Sequence, residues 1–445
     1  MCNGTIMDKL ISFSIPLMLS GILQLMFNAV DIVVVGRFSG SQALAAVGST
    51  TALINVFTNL FIGISLGANV LAARYYAAGK TKEMSETVHT AIALALVSGV
   101  AMAVIGVVFA RGALEIMGTP DDVIAKSTLY MRIYFCGMPF FMMYNYGAAI
   151  LRAVGDTKRP LIFLIVSGVI NAVLNLFLVI GFHLDVAGVG IATVISQLVS
   201  CILVLRCLHH TESSYQLHLA KLRIRSVYLK QIFEVGVPAG IQSTVINISN
   251  AMLQSSVNSF GSIAMAGYTA SNNIFGFLYV SVNSFTQACM SFTSQNYGVK
   301  KLKRMDRVLI DCMILSVVVT LILGSSVYIF GPELLHIYSN QADVIKYGME
   351  IFSYTTVTYF LCGLMDLFPG ALRGMGYSTV PMILSIIGTV GVRIIWIYGL
   401  FPSHRSLTFL FLSYPVSWIA TIIMQVICFW FVREKIHRTM AVTAE

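Results

Sequence analysis

Asp31 stands in an otherwise apolar stretch and ends a stripe of Gln24, Asn28 and Asp31. The spacing of i, i+4 and i+7 puts all three on one face of a helix. A charged side chain in the hydrocarbon region costs roughly 2.5–3.5 kcal/mol on insertion scales, so such groups usually face a cavity and mark a pathway. A second apolar stretch carries Asn171 and Asn175, again at i and i+4. At 1.5 Å of rise per residue, Asp31 falls roughly 8 Å below a helix end near Gly36, and Asn175 roughly 9 Å below one near Gly181. The two side chains are therefore expected at matching depth. One carboxylate with amide oxygens suits a proton site, and equally a Na⁺ site at Asp31, Asn171 and Asn175. Asn28, Asn171 and Asn175 would orient the carboxylate and satisfy its remaining hydrogen bonds. The plainer alternative is interhelical hydrogen-bond glue.

The second half of the chain has its own intramembrane charges. Asp366 lies about two turns from a cytoplasmic helix end at Arg373, and Arg393 lies deep in the next apolar stretch. Counting from the inner ends leaves roughly 10 Å of depth between them, so a direct salt bridge is not implied. Amides form further stripes: Asn247, Asn250, Gln254 and Asn258, then Asn283 and Gln287. With Gln24, Asn145 and Gln197, these are the candidates to line a substrate cavity; packing is the alternative for each. Tyr144, Tyr146, Tyr279, Tyr359 and the 22 methionines offer adaptable apolar and π surface for flat cations. Most methionines are expected simply to face lipid or core.

The elements that must hold these groups follow from composition. The 445 residues are 57% hydrophobic and 11% charged. An average soluble domain is roughly 25% charged. Many apolar runs reach the ~20 residues that cross a bilayer as a helix, and none shows the short alternating pattern of barrel strands. Twelve spans are predicted, the first at 11–36 and the last at 407–432, giving an all-α membrane protein. The net charge of +9 does not imply nucleic-acid binding, because the basic residues sit in short loops where they set topology. About 21 of the 28 Lys and Arg fall on one side and six on the other. The positive-inside rule puts that side, and both termini, in the cytoplasm. The eight cysteines are scattered without a CxxC pair and read as small buried hydrophobes. The first apolar run has no cleavage pattern and reads as span one.

The two halves repeat at an offset of about 221 residues. Asp122-Val123-Ile124 matches Asp343-Val344-Ile345, and Leu151-Arg152-Ala153-Val154-Gly155 matches Leu372-Arg373-Gly374-Met375-Gly376. Pro16 matches Pro238 with a one-residue slip, and Asn145 is the repeat partner of Asp366. Six spans per half make the repeat parallel, about an axis along the membrane normal. The expected organisation is a six-helix lobe over 1–208, a cytoplasmic linker over 209–228, a second lobe over 229–432 and a tail over 433–445. The basic linker could also form a membrane-surface helix. Gly-x-x-x-Gly at Gly63/Gly67 and Gly236/Gly240 is a common packing pattern.

No HExxH, GxSxG, Walker loop or paired Cys/His cluster is present, so nothing suggests an enzyme. Without a nucleotide site, transport must be driven by an ion gradient. At this point the sequence resembles the multidrug and toxic-compound extrusion (MATE) family, bacterial branch, over about residues 10 to 432. The segments that carry the likeness are IPLMLSGILQLMFNAVDIVVVGR from Ile15, LRAVGDTKRP from Leu151, NAVLN from Asn171, VAGVGIATVISQ from Val186 and LRGMGYSTVP from Leu372. The resemblance implies a V-shaped pair of six-helix lobes in the inner (plasma) membrane. It implies antiport of small cationic, amphipathic molecules against H⁺ or Na⁺, with no other cofactor and a monomeric chain. It also implies that Asp31 and Asn171 belong to the ion-coupling site. Many members carry Asp at the position of Asn175, so one carboxylate of the pattern is absent. Asp366 is a candidate second site. A flippase for a lipid-linked precursor or polysaccharide, in the same wider superfamily, is the alternative; such flippases often have fourteen spans and a strongly cationic cavity. A structural or signalling membrane protein fits the repeat and the buried carboxylates less well.

Overall fold

The computed structural model describes residues 1–442, so the last three residues of the 433–445 tail lie outside the described residues. The described chain is built of helices, without a strand. The helices are α1 Met7–Phe38, α2 Ser41–Ala77, α3 Thr81–Ile116, α4 Asp121–Cys136, α5 Met138–Ala153, α6 Lys158–Leu176, α7 Asp185–His209 and α8 Ser226–Asn258. They continue with α9 Ser262–Gly298, α10 Leu302–Ile329, α11 Gly331–His336, α12 Ala342–Thr355, α13 Tyr359–Gly374, α14 Thr379–Ser385, α15 Val392–Ile395, α16 Leu407–Phe411 and α17 Ser413–Val442. Single π turns at Phe177–Gly181, Ile386–Gly391 and Trp396–Leu400 interrupt the α-helical ladder.

Eight described helical stretches are long and apolar enough to cross a membrane. A ninth is the α12–α13 pair, bent by 52°. The remaining three elements of the twelve-span layout have the length but less apolar character, or are broken. α8 and α9, 33 and 37 residues long, are diluted by amides and hydroxyls. α4 and α5 have 16 residues each and meet at Gly137. Sixteen residues reach only about 24 Å, so neither piece spans alone. The broken fourth span and the bent tenth are repeat equivalents, which the apolar runs by themselves do not reveal.

The chain divides into two compact units. One holds Leu19–Gly240, the other Met1–Met18 with Ile241–Glu445. The divisions thus fall inside α1 and α8 rather than in the 209–228 segment. Each lies two residues past a proline within the helix, Pro16 and Pro238. Proline removes one i→i−4 hydrogen bond and loosens a helix locally, which accounts for both helices changing unit at these points. The amino-terminal segment is tied into its unit by Phe13 packing edge-on against Phe292 and by Lys301 donating to Asn3 at 2.7 Å.

Within the first unit the two glycine pairs meet each other. A Cβ at Gly63 would lie 2.3 Å from the Cα of Gly240, and one at Gly236 would lie 2.5 Å from the Cα of Ile64. Only glycine permits this backbone approach, so Gly63/Gly67 and Gly236/Gly240 form one small-residue seam between α2 and α8.

The 209–228 segment does not form a surface helix. Between α7 and α8 it is irregular, with a turn at 213–215 and one 3₁₀ turn at Leu219–Lys221, and its polar groups are taken by α3 and by the end of α7. The His218 backbone N–H donates to His89 at 3.0 Å, and the two rings stack. Arg223 and Arg225 both pair with Glu86, at 2.8 and 3.1 Å. Hydrogen bonding from Arg223, joined by Arg225, holds the Glu86 carboxyl below its usual range despite some desolvation.

Candidate functional site

The site in the first unit is made by α1 and α6. Gly168 lets the helices close: a Cβ there would lie 1.8 Å from the Phe27 ring. Phe27 precedes Asp31 by one turn, and Gly168 precedes Asn171 by about one turn, so this contact sets the register of the polar groups. Asn175 then donates from Nδ2 to Asp31 Oδ1. The same nitrogen donates to Asn171 Oδ1 at 3.2 Å. Asn171 and Asn175 are buried, Asn175 completely. Asp31 is half-buried.

Two oxygens of this cluster are left open. Asn175 Oδ1 is enclosed with no hydrogen-bond partner. Asp31 Oδ2 accepts no hydrogen bond among the described residues. A π turn begins two residues after Asn175; single π turns recur at functional sites. Tyr130 and Tyr134, four residues apart on α4, stand close enough to feel the Asp31 charge. Their i, i+4 spacing was a usable signal that the amide stripes overshadowed. Gln197 lies beside Tyr134, and its buried Oε1 accepts nothing.

Other sequence candidates fall outside the cluster. Gln24 and Asn28 are exposed and bond to neither Asp31 nor the asparagines. Asn145 donates to the carbonyl of Phe141 one turn back, at 2.8 Å. Tyr144 is buried and donates to the Pro160 carbonyl at 3.0 Å; Tyr146 is wholly buried, and Tyr359 is also in the core. These three rings serve packing, whereas Tyr279 is exposed.

In the second unit Asp366 is half-buried beside Tyr279 and within electrostatic reach of Arg373. It makes no ion pair with Arg393 among the described residues. Arg373 is itself buried and donates to Gln242 at 2.6 Å, a partnership no sequence pattern indicated. Arg393 is 3% exposed. Its Nη1 donates to Asn250 at 2.8 Å and its Nε to Ser417 at 3.3 Å, while the guanidinium stacks 4.6 Å over the Tyr414 ring. Gln254 donates to Asn258 along α8 at 3.0 Å. Asn247 and Asn283 are exposed, and Gln287 is half-buried. Among the described residues no group of three or more His, Cys, Asp or Glu could hold a metal, and the eight cysteines are free thiols.

The cluster sets one carboxylate beside two buried amides, a donor set of oxygens that suits a proton or a small cation. The MatE family model matches residues 16–177 and 238–398, both repeats in turn. The chain is 30% identical over 389 residues to "Probable multidrug resistance protein YoeA" of Bacillus subtilis, covering 86% of this chain and 84% of that one. It is 23% identical over 406 residues to "Multidrug export protein MepA" of Staphylococcus saprophyticus, covering 90% and 89%. A solved outward-facing multidrug resistance MATE family transporter of the MOP superfamily superposes with a TM-score of 0.88 at 20% identity, over 98% of this chain and 97% of that one. That likeness carries the fold. Two repeats matched in order, along with relatives that align nearly end to end, make the chain a multi-pass membrane protein of the MatE family, the multidrug and toxic-compound extrusion family that its motifs resemble.

Proposed function

We propose that this protein is a secondary active multidrug efflux transporter that exchanges cationic, amphipathic compounds for H⁺ or Na⁺. The observation that carries the reading is the Asp31–Asn175–Asn171 cluster, a carboxylate held by buried amides within an apolar helix pair. The relatives named as multidrug resistance and export proteins support the substrate class. Ionised, Asp31 presents a negative site that favours a drug cation. A proton or Na⁺ arriving at the open oxygens of Asp31 and Asn175 neutralises the site and weakens cation binding. Exchange follows if the two ligands compete, or prefer different conformations of the protein. Asp366 is proposed as a second carboxylate for the same chemistry. The protein acts as a monomer in the plasma membrane with both termini cytoplasmic, as the basic-residue asymmetry implies.

Expression in a drug-sensitive bacterial host tests this reading. The expected result is raised resistance to cationic dyes, with lower steady-state dye accumulation. Unchanged susceptibility with the protein present in the membrane speaks against efflux, and export of a lipid-linked precursor instead would favour the flippase. A phosphatase fusion after Glu445, active only outside the cytoplasm, is expected to be silent; an active fusion reverses the topology.

A further inference from the structure

Arg393 is a cation sealed in the second unit without an acid to pair with. It is 97% buried, since 3% remains exposed, and no carboxylate lies within ion-pair distance of it among the described residues. Its partners are an amide, a hydroxyl and an aromatic face: Asn250, Ser417 and Tyr414. Beside them, the Tyr268 hydroxyl meets that of Tyr414 at 2.9 Å. Neutral partners offset only part of the desolvation cost of a buried charge, which falls heavily on an ion with no counter-ion. The guanidinium fork has five N–H donors, and Nη2 donates to no protein group. That nitrogen is not among the enclosed unpartnered atoms, so it supplies the small part of the side chain that still reaches the surface.

The backbone singles out the same position. Arg393 lies in α15, a four-residue helix with a π turn before it, Ile386–Gly391, and another after it, Trp396–Leu400. A single π turn often marks a functional site; here two bracket the four residues that include Arg393.

The internal repeat adds a second, independent observation. In the first unit, α1 and α6 bring together Asp31 and Asn175, with a π turn beginning two residues later. In the second, their repeat equivalents bring together Asn250 of α8 and Arg393, also with a π turn after. Asn28 and Asn250 stand 250 − 28 = 222 residues apart, the offset that also separates Pro16 from Pro238. At that offset Arg393 stands at the position of Asn171, so the equivalent helix pair carries an acid on α1 in one unit and a base on the α6 equivalent in the other.

We propose that Arg393, with Asn250, Ser417 and the Tyr268–Tyr414 hydroxyl pair, forms a binding subsite for a carboxylate on the transported molecule. A monoanion fits a single guanidinium edge, whereas a phosphate dianion would need further cations, and among the described residues no second cation acts on Arg393. Arg–carboxylate hydrogen bonds are charge-assisted and directional, which suits this role. The substrates so selected are amphipathic molecules with a free carboxylate, zwitterions included. This deepens the efflux reading and rests on it.

The test uses the full-length protein in lipid nanodiscs and two fluorescent probes with one chromophore. Rhodamine 110 carries a free carboxylate; rhodamine 123 is its methyl ester. Fluorescence anisotropy gives both affinities. The wild-type protein is expected to bind the acid about tenfold more tightly than the ester, the scale of one charge-assisted hydrogen bond. Arg393→Gln is expected to erase that preference while leaving ester affinity within about twofold, and Arg393→Lys to retain part of it. Equal affinities for acid and ester in the wild type overturn the subsite, even if Arg393→Gln does not fold. So does an equal weakening of both probes by Arg393→Gln, which would make the arginine a packing element. Binding of neither probe by the wild type contradicts the efflux reading and the subsite together.

Discussion

Asp31→Asn is expected to cut gradient-driven efflux by at least about tenfold while leaving the protein in the membrane. Asparagine has nearly the shape of aspartate and can still accept the hydrogen bond that Asn175 donates to Oδ1. What it cannot do is carry a charge or release a proton. A neutral group at this position removes the attraction for a drug cation and for Na⁺ alike, so binding and release lose their link to the gradient. Loss of one charge-assisted interaction in a site of low dielectric is worth roughly 1.5–3 kcal/mol, which sets the tenfold floor. The measurement is dye efflux from energised cells, normalised to the amount of protein in the membrane. Wild-type efflux in Asp31→Asn would remove the carboxylate from the coupling step.

A comparable loss is expected from a methyl group that touches no polar atom. Gly168→Ala would place a Cβ 1.8 Å from the Phe27 ring, far inside van der Waals contact. The ring or the whole outer half of α1 must move, and overpacking of this kind costs typically 1–3 kcal/mol. Asp31 follows Phe27 by one turn, so that movement carries the carboxylate away from Asn175. Efflux should fall about tenfold, the equivalent of roughly 1.4 kcal/mol. Adding Phe27→Ala makes room for the methyl group and should restore much of the activity. The double variant separates register from chemistry, because neither residue bears a titratable group. Full activity in Gly168→Ala, or no recovery in the double variant, would show that this contact does not position Asp31.

The contrast between these two residues shows what sequence can and cannot reveal about such a site. Asp31, Asn171 and Asn175 were legible because polar residues at helical spacing stand out in an apolar run. Their depths could be counted from the helix ends at 1.5 Å per residue. Periodicity says which residues share a face, not which face meets which. The Phe27–Gly168 contact was therefore invisible, and so was the exclusion of Gln24 and Asn28, which share the Asp31 stripe but stay exposed. The two glycine pairs were visible as motifs, yet nothing in their spacing said that they pack on each other. Arg393 was visible as a misplaced charge, but its partner, Asn250, lies 143 residues away. The broken fourth span was hidden for another reason: Gly137 ends one helix and begins the next without a polar interruption in the hydropathy. The basic spacing of the linker left a surface helix open, because periodicity could not show that the partner of Arg223 and Arg225, Glu86, is on α3.

Ion-coupled exchange is tested most directly with purified protein in liposomes loaded with a cationic dye, where no host protein or nucleotide is present. A pH gradient and a Na⁺ gradient are imposed separately, and dye movement against its own gradient is followed by fluorescence. At least one of the two gradients is expected to drive uphill dye movement, and dissipating it with a matching ionophore to stop it. Dye that only equilibrates, whichever ion gradient is present, would contradict antiport at the Asp31 site.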